Sequence, residues 1–555
     1  MKQLIILFII TLFSTVGELH GQKVFQDSIL CSPYKLKNNF KNAPLEIDLP
    51  GDSFTISFCV LDHVNHPIGF NLWDNKGQLF FQYKNNQIKR LGEKNKQLTG
   101  AFKNYWHQLV LIYQDQQLSV YHNGVKVLKR KQVQKLDNWQ LKLTGDLGNE
   151  PYMQLKDLIK TFTVYQSPLQ EAAIEQNFQN LTDLIDQGKL PGDTATYLVG
   201  PFLTFPTSES VQVTWETQEP ATAIVRYGTT YPLMQTQKIE EPNTIQHIRL
   251  SNLEAGTNYF AEVELLGSDK LADRVQLSFK TAPLDLQALR FAVIGDTESR
   301  PFINAQLGKL IWGDRPDFFL LCGDVTDGGQ QAFKNQWTQE FFSGTSALMQ
   351  RVPLVPAAGN GDSDLYWFNR YFNPPSDDGY YSFQWSNAEF FILNSNLTDQ
   401  LAPDNSQYRW LEDKLKNSQA TWKFIVLHYA PYSSDEDDYG DSYKGTSTWG
   451  DPNMQKLIPL FEQYRVDMVL YGHLHCYERS WPILHNQVVN QGVVYVETGG
   501  AGGNLEDFAP HRSWFSAKTF RGHHYVMVNV FNQQLRMDTY NIEGQLIDTY
   551  ELKHK

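Results

Sequence analysis

The chain has 555 residues, a formal net charge of −13 and four cysteines. This length predicts about three or four domains and is enough to bury ordinary hydrophobic cores, which excludes a scaffold built mainly on disulfides. The acidic balance argues against a nucleic-acid polymer as a partner, because such binding needs clustered Lys and Arg.

The first feature in chain order is a positively charged start at Lys2, followed by an apolar run over residues 4–13. The run is too short to cross a bilayer and is typical of a secretory signal. We therefore expect residues 1–21 to be a signal peptide and the protein to be exported, to a periplasm or to the extracellular space. No later run is apolar and long enough for a membrane span, so the sequence predicts a soluble mature chain.

Residues 22–179 alternate between apolar and polar side chains in several runs, a pattern that predicts β-strands. Between two of these runs, Asn123 and Gly124 predict a hairpin, since both residues tolerate the positive φ of a type I′ turn. The block resembles laminin-G-like, concanavalin-type jelly-roll modules. That resemblance implies either a glycan or cell-surface ligand for the jelly roll or a purely structural role.

A polar stretch over residues 180–196 predicts a linker, and residues 197–284 then form a second strand-rich block. Alternation around Trp215 predicts a strand with a core tryptophan. The segment that ends at Tyr259 fits a corner in which a Tyr hydroxyl bonds to the backbone. The block resembles a fibronectin type III β-sandwich, and we interpret it as a rigid spacer.

In residues 285–555, short apolar runs end repeatedly at a polar side chain that can bind a metal. The runs read as buried strands separated by helix-like stretches, which predicts a layered α/β domain. Ligands collect at the carboxyl ends of such strands. Two Asp, one Asn and three His suit Fe, Zn or Mn and not a thiolate site. The expected donors are Asp296, Asp324, Asn360, His428, His473 and His475.

Each donor also has an ordinary structural explanation. A Gly-Asp pair after a strand is commonly a turn or a helix cap, and His428 by itself fits a core histidine. The pair His473 and His475 is stronger, because alternate residues of an extended segment point the same way. Only the order of all the blocks together makes coincidence improbable.

The five blocks, in this order, resemble the signature of the calcineurin-like metallophosphoesterases. The continuation over residues 472–480 is most similar to the purple acid phosphatase branch. The resemblance implies two metal ions that hold a hydroxide for in-line attack on a phosphate ester. In that arrangement Asp324 bridges both ions, Asp296 and His475 complete the first site, and Asn360, His428 and His473 complete the second.

The chain departs from the family pattern at two ligand positions. Where the purple enzymes have a Tyr that ligates ferric iron, this chain has Asp327, and where the wider superfamily often has a His, it has Glu298. We treat both carboxylates as additional candidate ligands. The missing Tyr predicts a colourless enzyme that is less selective for ferric iron.

Two further departures concern the leaving group. The family has a His after the ligand Asn, whereas here Gly361 follows and leaves Asp362 as the candidate proton donor, with hydrogen-bonding support as its alternative role. After the fourth block, Asp437 and Asp438 stand where the branch often has His. Since general acids contribute about 10²- to 10⁴-fold, we expect slow hydrolysis of poor leaving groups. The acidic run could bind a cation, select a less charged ester or simply be a solvated surface.

Two functions remain open at this point. The favoured one is an exported binuclear-metal phosphoesterase of the acid phosphatase type. The alternative is a catalytically weak or inactive metal-binding protein whose jelly roll binds a glycan or a cell surface. The substrate, the preference for monoester or diester, the metal pair and the oligomeric state do not follow from the sequence.

Overall fold

The computed structural model describes residues 196–554 except 267–273, 363 and 442–443, and separate segments before them. The expected signal peptide at residues 1–21 lies outside the described residues. The chain divides into two compact units, Met1–Thr194 and Ala195–Lys555. The segments described before residue 196 are 23–26, 45–48, 53–61, 69–73, 79–84, 87–89, 96–97, 106–130, 140–146, 152–153, 155–165 and 167–189.

The described part of the first unit consists mainly of strands. The strands are β1 Lys23–Gln26, β2 Leu45–Asp48, β3 Phe54–Leu61, β4 Gly69–Trp73, β5 Leu79–Lys84, β6 Gln87–Lys89, β7 Lys96–Gln97, β8 Trp106–Gln114, β9 Gln117–His122, β10 Val125–Arg130, β11 Gln140–Asp146 and β12 Ile159–Tyr165. The helices are α1 Leu155–Leu158 and α2 Glu171–Asp186. Among described residues the strands form two antiparallel sheets, ordered β1-β12-β3-β8-β9-β10 and β2-β11-β4-β5-β6-β7.

The two sheets meet through aromatic side chains. Phe58 of the first sheet packs edge to face against Phe70 of the second, with ring centroids 5.0 Å apart. The predicted hairpin is confirmed, because Asn123 and Gly124 join β9 to β10 with φ of 48° and 77°. Helix α2 continues into residues 180–186, the start of the predicted linker, since its apolar face packs in the core of this unit.

The second unit is larger and mixes strands with helices. Its strands are β13 Tyr197–Thr204, β14 Val211–Gly228, β15 Gln235–Leu250, β16 Asn258–Leu265, β17 Arg274–Lys280, β18 Leu289–Ile294, β19 Phe318–Cys322, β20 Leu354–Ala357, β21 Tyr381–Trp385, β22 Ala388–Ile392, β23 Trp422–Val426, β24 Met468–Tyr471, β25 Tyr477–Ser480, β26 Ile483–Leu484, β27 Gln487–Val488, β28 Val494–Thr498, β29 Ser516–Phe520, β30 His524–Phe531, β31 Gln534–Asn541 and β32 Leu546–Lys553. Its α-helices are α3 Pro301–Asp314, α4 Lys334–Gln336, α5 Ser343–Met349, α6 Tyr366–Phe372, α7 Ser406–Asn417, α8 Pro452–Gln455 and α9 Ile458–Gln463. Residues Trp337–Phe342 form a π-helix, and 3₁₀ turns cover Gln331–Phe333, Asn360–Asp362 and Thr398–Leu401.

Strands β13 to β17 carry the two features predicted for residues 197–284. Trp215 is fully buried, and the hydroxyl of Tyr259 accepts the amide N–H of Glu254 at 2.9 Å, so both predictions are confirmed. This block shares a sheet with the residues that follow, because β13 pairs with β20 at Thr204 and Leu354. The sheet order is β17-β16-β14-β13-β20-β19-β18-β30-β31-β32, with β15 beside β14.

A second sheet, ordered β21-β22-β23-β24-β28-β25-β29, packs against the first through phenylalanine rings. Phe390 of the second sheet contacts Phe291 and Phe318 of the first, with ring centroids 5.1 and 5.4 Å apart. Strands β18 to β20 are parallel in one sheet, and β23 and β24 are parallel in the other. The strands that precede the predicted donors thus belong to two facing sheets. The apolar runs alone do not show which sheet each strand joins.

Two buried glutamates face each other across strands β25 and β28. Glu478 and Glu497 are direct partners in the antiparallel register and are 1% and 0% exposed. Like charges directly opposite each other destabilise a sheet. Burial, reinforced by the charge of Glu478, raises the pKa of Glu497 well above its usual value. The pKa of the Glu497 carboxyl is therefore higher in the folded protein than in the unfolded chain.

We expect Glu497→Gln to raise the free energy of unfolding at about pH 8 and to change it little at about pH 4. A carboxyl whose pKa rises on folding loses stability as pH rises from the unfolded value toward the folded one, by up to about 1.4 kcal/mol per pH unit. Gln keeps the acceptor for the Cys476 thiol and cannot ionise. Melting temperatures measured across this pH range test the expectation, with exposed Glu543→Gln as control. A pH-independent shift would contradict it.

Candidate metal centre

The six predicted donors all lie in loops that follow parallel strands of the two facing sheets. Asp296, Asp324 and Asn360 follow β18, β19 and β20 of one sheet, whereas His428 and the His473 segment follow β23 and β24 of the other. The loops meet at one edge of the domain. Among the described residues, ligand atoms of Asp324, His428 and His473 lie within 4.8 Å of one another.

His428 is the centre of the first group of donors. Its Nε2 lies 3.2 Å from Oδ1 of Asp324 and 2.9 Å from Oδ1 of Asn360. Its Nδ1–H donates to the carbonyl of Cys322 at 3.0 Å, which orients the ring and leaves Nε2 directed toward the acid and the amide. His473 completes this group, with its ring centroid 5.0 Å from that of His428.

His475 is the centre of the second group. Its Nε2 lies 3.5 Å from Oδ1 of Asp296 and 3.4 Å from Oε1 of Glu298. Its Nδ1–H donates to the carbonyl of Asn504, so this imidazole is also oriented by the main chain. Glu298, predicted as an additional ligand, is therefore beside the donors Asp296 and His475.

Main-chain groups and glycines bring the two groups of donors together. The amide N–H of His473 donates to both carboxylate oxygens of Asp296, at 2.9 and 3.1 Å, while its ring belongs to the other group. A β-carbon on Gly472 would lie 2.2 Å from Oδ2 of Asp296, so only glycine allows this approach. Gly323 has a φ of +88°, and a β-carbon there would lie 2.5 Å from the His428 ring.

The donors strongly perturb one another electrostatically. Burial disfavours a charged His428, but the carboxylates of Asp324 and Asp296 and the carbonyl of Cys322 together outweigh burial and raise the pKa of this imidazole to about 9. Burial raises the pKa of the Asp324 carboxyl, but His428, the Gly361 amide and His473 together more than reverse this, so the net shift of the pKa is downward. Burial and the charge of His428 lower the pKa of His473 to about 3.

These residues fit a metal ion. Imidazole nitrogens and carboxylate and amide oxygens are the ligands of Zn, Fe and Mn sites. Buried donors of this kind converge on bound cations, because a cation relieves the repulsion between carboxylates and the desolvation of both groups. The protein thus holds a His/Asp group that could bind a metal ion.

The sequence profile described as calcineurin-like phosphoesterase matches residues 289–477, which contain all six donors. The chain carries a calcineurin-like phosphoesterase domain. Its predicted placement in the purple-acid-phosphatase-like branch is also confirmed.

Two relatives from Arabidopsis thaliana differ in their described activity. "Probable purple acid phosphatase 20" is 26% identical over 379 residues, or 62% of this chain and 82% of the relative. "Probable inactive purple acid phosphatase 24" is 25% identical over 224 residues, and the match covers only 35% of either chain. A purple acid phosphatase from yellow lupin (Lupinus luteus) seeds has a similar fold, with a TM-score of 0.56, 17% identity and coverage of 90% of this chain and 93% of that one.

Asp362 of the phosphoesterase domain accepts hydrogen bonds from two backbone amides. It is fully buried, its Oδ1 accepts the amide N–H of Val325 at 3.0 Å, and its Oδ2 accepts that of Gly359 at 2.8 Å. Both carboxylate oxygens thus accept backbone amides, which favours the alternative role of hydrogen-bonding support over proton donation. Its carboxylate ties together the two loops that carry Asp324 and Asn360.

The other departures from the family pattern lie around the donors. Asp327 is exposed, in the loop after β19, and its charge adds to burial in raising the pKa of the Glu298 carboxyl. Asp438 extends to the centre itself, with Oδ2 3.6 Å from Nε2 of His473. Asp437 is exposed on the same loop, so two acidic residues of one loop lie close to the donors.

Sequence reasoning missed the support that His475 receives from the loop after β28. The Glu506 carboxylate accepts the amide N–H of His475 at 2.9 Å, and the Asn504 carbonyl accepts its Nδ1–H. Burial raises the pKa of Glu506 to about 7. The available signal was the glycine-rich run over residues 499–503, because such runs allow close approach of a backbone to a site.

No helix in the described parts of the chain is long and apolar enough to span a membrane.

Proposed function

We propose that the protein is a binuclear-metal phosphoesterase that hydrolyses phosphate esters in the manner of the acid phosphatases. The observation that carries the proposal is the convergence of six N and O donors from five strand ends on one edge of two facing sheets. Two cations bound there supply Lewis-acid activation of the nucleophile and neutralise phosphoryl charge.

The roles of the residues follow from the two groups of donors. Asn360, His428 and His473 would hold one cation, while Asp296 and His475, assisted by Glu298, would hold the other. Asp324 would be shared by both. The carbonyls of Cys322 and Asn504 keep both imidazoles oriented, so the donors need little reorganisation to bind.

The proposed reaction lacks the usual histidines for protonating a leaving group. Asp362 is engaged with two backbone amides, and Asp438 stands beside His473. We therefore propose efficient turnover only for esters with good leaving groups, since these depart without a general acid.

A screen of the full chain tests the proposed function. We expect protein loaded with Fe, Zn or Mn to hydrolyse aryl phosphomonoesters or aryl phosphodiesters, and a chelator to abolish the turnover. Alkyl esters should react more slowly by about 10²- to 10⁴-fold, the contribution of a general acid. Two bound metal ions without turnover of any ester would instead support the catalytically weak binding protein, in keeping with the relative described as probably inactive.

Colour gives an independent prediction about the ligands. Because Asp327 replaces the Tyr of the purple enzymes, we expect iron-loaded protein to have no intense visible absorption band. The nearest alternative is Tyr429, whose ring centroid is 4.6 Å from that of His473. A visible band would contradict the prediction, and its loss in Tyr429→Phe would identify that phenol as the ligand.

The remaining modules complete the proposal. We propose a concanavalin-type jelly roll for residues 22–179 and a fibronectin type III-like spacer for residues 197–284, both exported by the signal at residues 1–21. The buried Trp215 and the Tyr259 corner support the spacer assignment.

A further inference from the structure

A cleft of about 400 Å³ lies beside strand β29, outside the residues assigned to the metal centre. β29 is an edge strand of the second sheet. Arg512 and Lys518 both line the cleft, as do the hydroxyl-bearing residues Ser434 and Thr519. Two cationic residues thus line one cavity of an acidic protein.

Arg512 is held in place by the main chain of the edge strand. Its Nε donates to the carbonyl of Ser516 at 3.0 Å and its Nη2 to that of Ala517 at 2.8 Å. These bonds cap an exposed strand edge and leave Nη1 available. Within the described residues, neither Arg512 nor Lys518 forms an ion pair, although the chain has a net charge of −13.

Three carboxylates around the cleft have other partners. Oδ1 of Asp435 accepts the amide N–H groups of Asp437 and Asp438. The Glu478 carboxylate accepts both the amide N–H and the hydroxyl of Ser434. Asp507 pairs with Arg521 at 2.6 Å. Among the described residues, no ion pair joins Arg512 or Lys518 to any of these carboxylates.

We propose that this cleft binds a phosphate group, with Lys518 and Arg512 as its cationic donors. Arg and Lys side chains whose N–H groups are not all hydrogen-bonded within the protein recognise phosphate oxygens through charge-assisted hydrogen bonds. The phosphate has two sources with the same chemistry: free inorganic phosphate, or a second phosphate group on the ester substrate. The second source rests on the proposed function, whereas binding itself does not.

Calorimetric titration of metal-free, full-length protein with inorganic phosphate at low salt tests the site. We expect one binding event that Lys518→Gln weakens by roughly tenfold, the contribution of one charge-assisted hydrogen bond, and that Lys518→Glu abolishes. The control Lys416→Gln, on an exposed helix end, should bind like the wild type. Absence of binding, or binding that both Lys518 variants retain, would overturn the proposal. Lys518 is preferred to Arg512 as the target because Arg512 also holds the strand edge.

Kinetics of metal-loaded protein distinguishes the two sources. If the second phosphate of a substrate occupies the cleft, Lys518→Gln raises the KM of glucose 1,6-bisphosphate but not that of glucose 6-phosphate. If free phosphate is the occupant, Lys518→Gln leaves both KM values unchanged while the calorimetric effect persists. Failure of all turnover would count against the proposed function and leave the calorimetric result standing.

Discussion

Replacing Asp324 by Asn is expected to lower turnover of any ester substrate by about 10³-fold, even with excess metal. Asp324 is 4% exposed and lies beside His428, and Oδ1 accepts the amide N–H of Gly361 at 2.6 Å. Asn keeps the shape and the acceptor but removes the negative charge that two cations would share. Metal ions supply several kcal/mol of transition-state stabilisation, which corresponds to a loss of this size.

The same variant should also bind less metal. Loss of a residue that hydrogen-bonds to a metal ligand lowers metal affinity by about 10- to 100-fold, and loss of a ligand shared by two metal ions should lower it further. Metal content by elemental analysis and kcat on an aryl ester measure both effects, with exposed Asp399→Asn as the matched control. An Asp324→Asn protein that keeps two metal ions and full turnover would contradict the proposed centre.

Replacing Asp362 by Ala should destabilise the phosphoesterase domain by about 2–6 kcal/mol. The substitution leaves the amide N–H groups of Val325 and Gly359 buried without acceptors, and each such loss costs about 1–3 kcal/mol. Metal affinity should fall as well, because these amides belong to the loops that carry Asp324 and Asn360. Asp362→Asn retains one acceptor and should give a smaller loss. Thermal unfolding and metal titration measure the two effects.

The pH profile of the Asp362 variants separates support from proton donation. At saturating metal, we expect kcat to vary with pH as in the wild type, because both Asp362 oxygens are engaged by backbone amides. A variant with unchanged stability that loses the basic limb of its profile would instead identify Asp362 as the general acid.

The sequence predicted the donors because their signal is local. A buried strand is recognisable as an apolar run, and a polar residue at its end is visible in the same window, as at Asp324 and His428. The signal for the hairpin at Asn123 was equally local, since two residues with positive φ are sufficient to make its turn. Asp362 was ambiguous, because the sequence does not show whether its carboxylate faces the substrate or two backbone amides.

The amino-acid sequence by itself determined which residues end the strands, in what order the donor blocks occur and how the chain departs from the family at Glu298, Asp327 and Gly361. Only the tertiary structure decided that these strands divide between two facing sheets, that Glu298 lies beside His475 and that Glu478 opposes Glu497. The physical reason is that side-chain periodicity is set within a few residues, whereas pairing and register between distant strands depend on packing of the whole core.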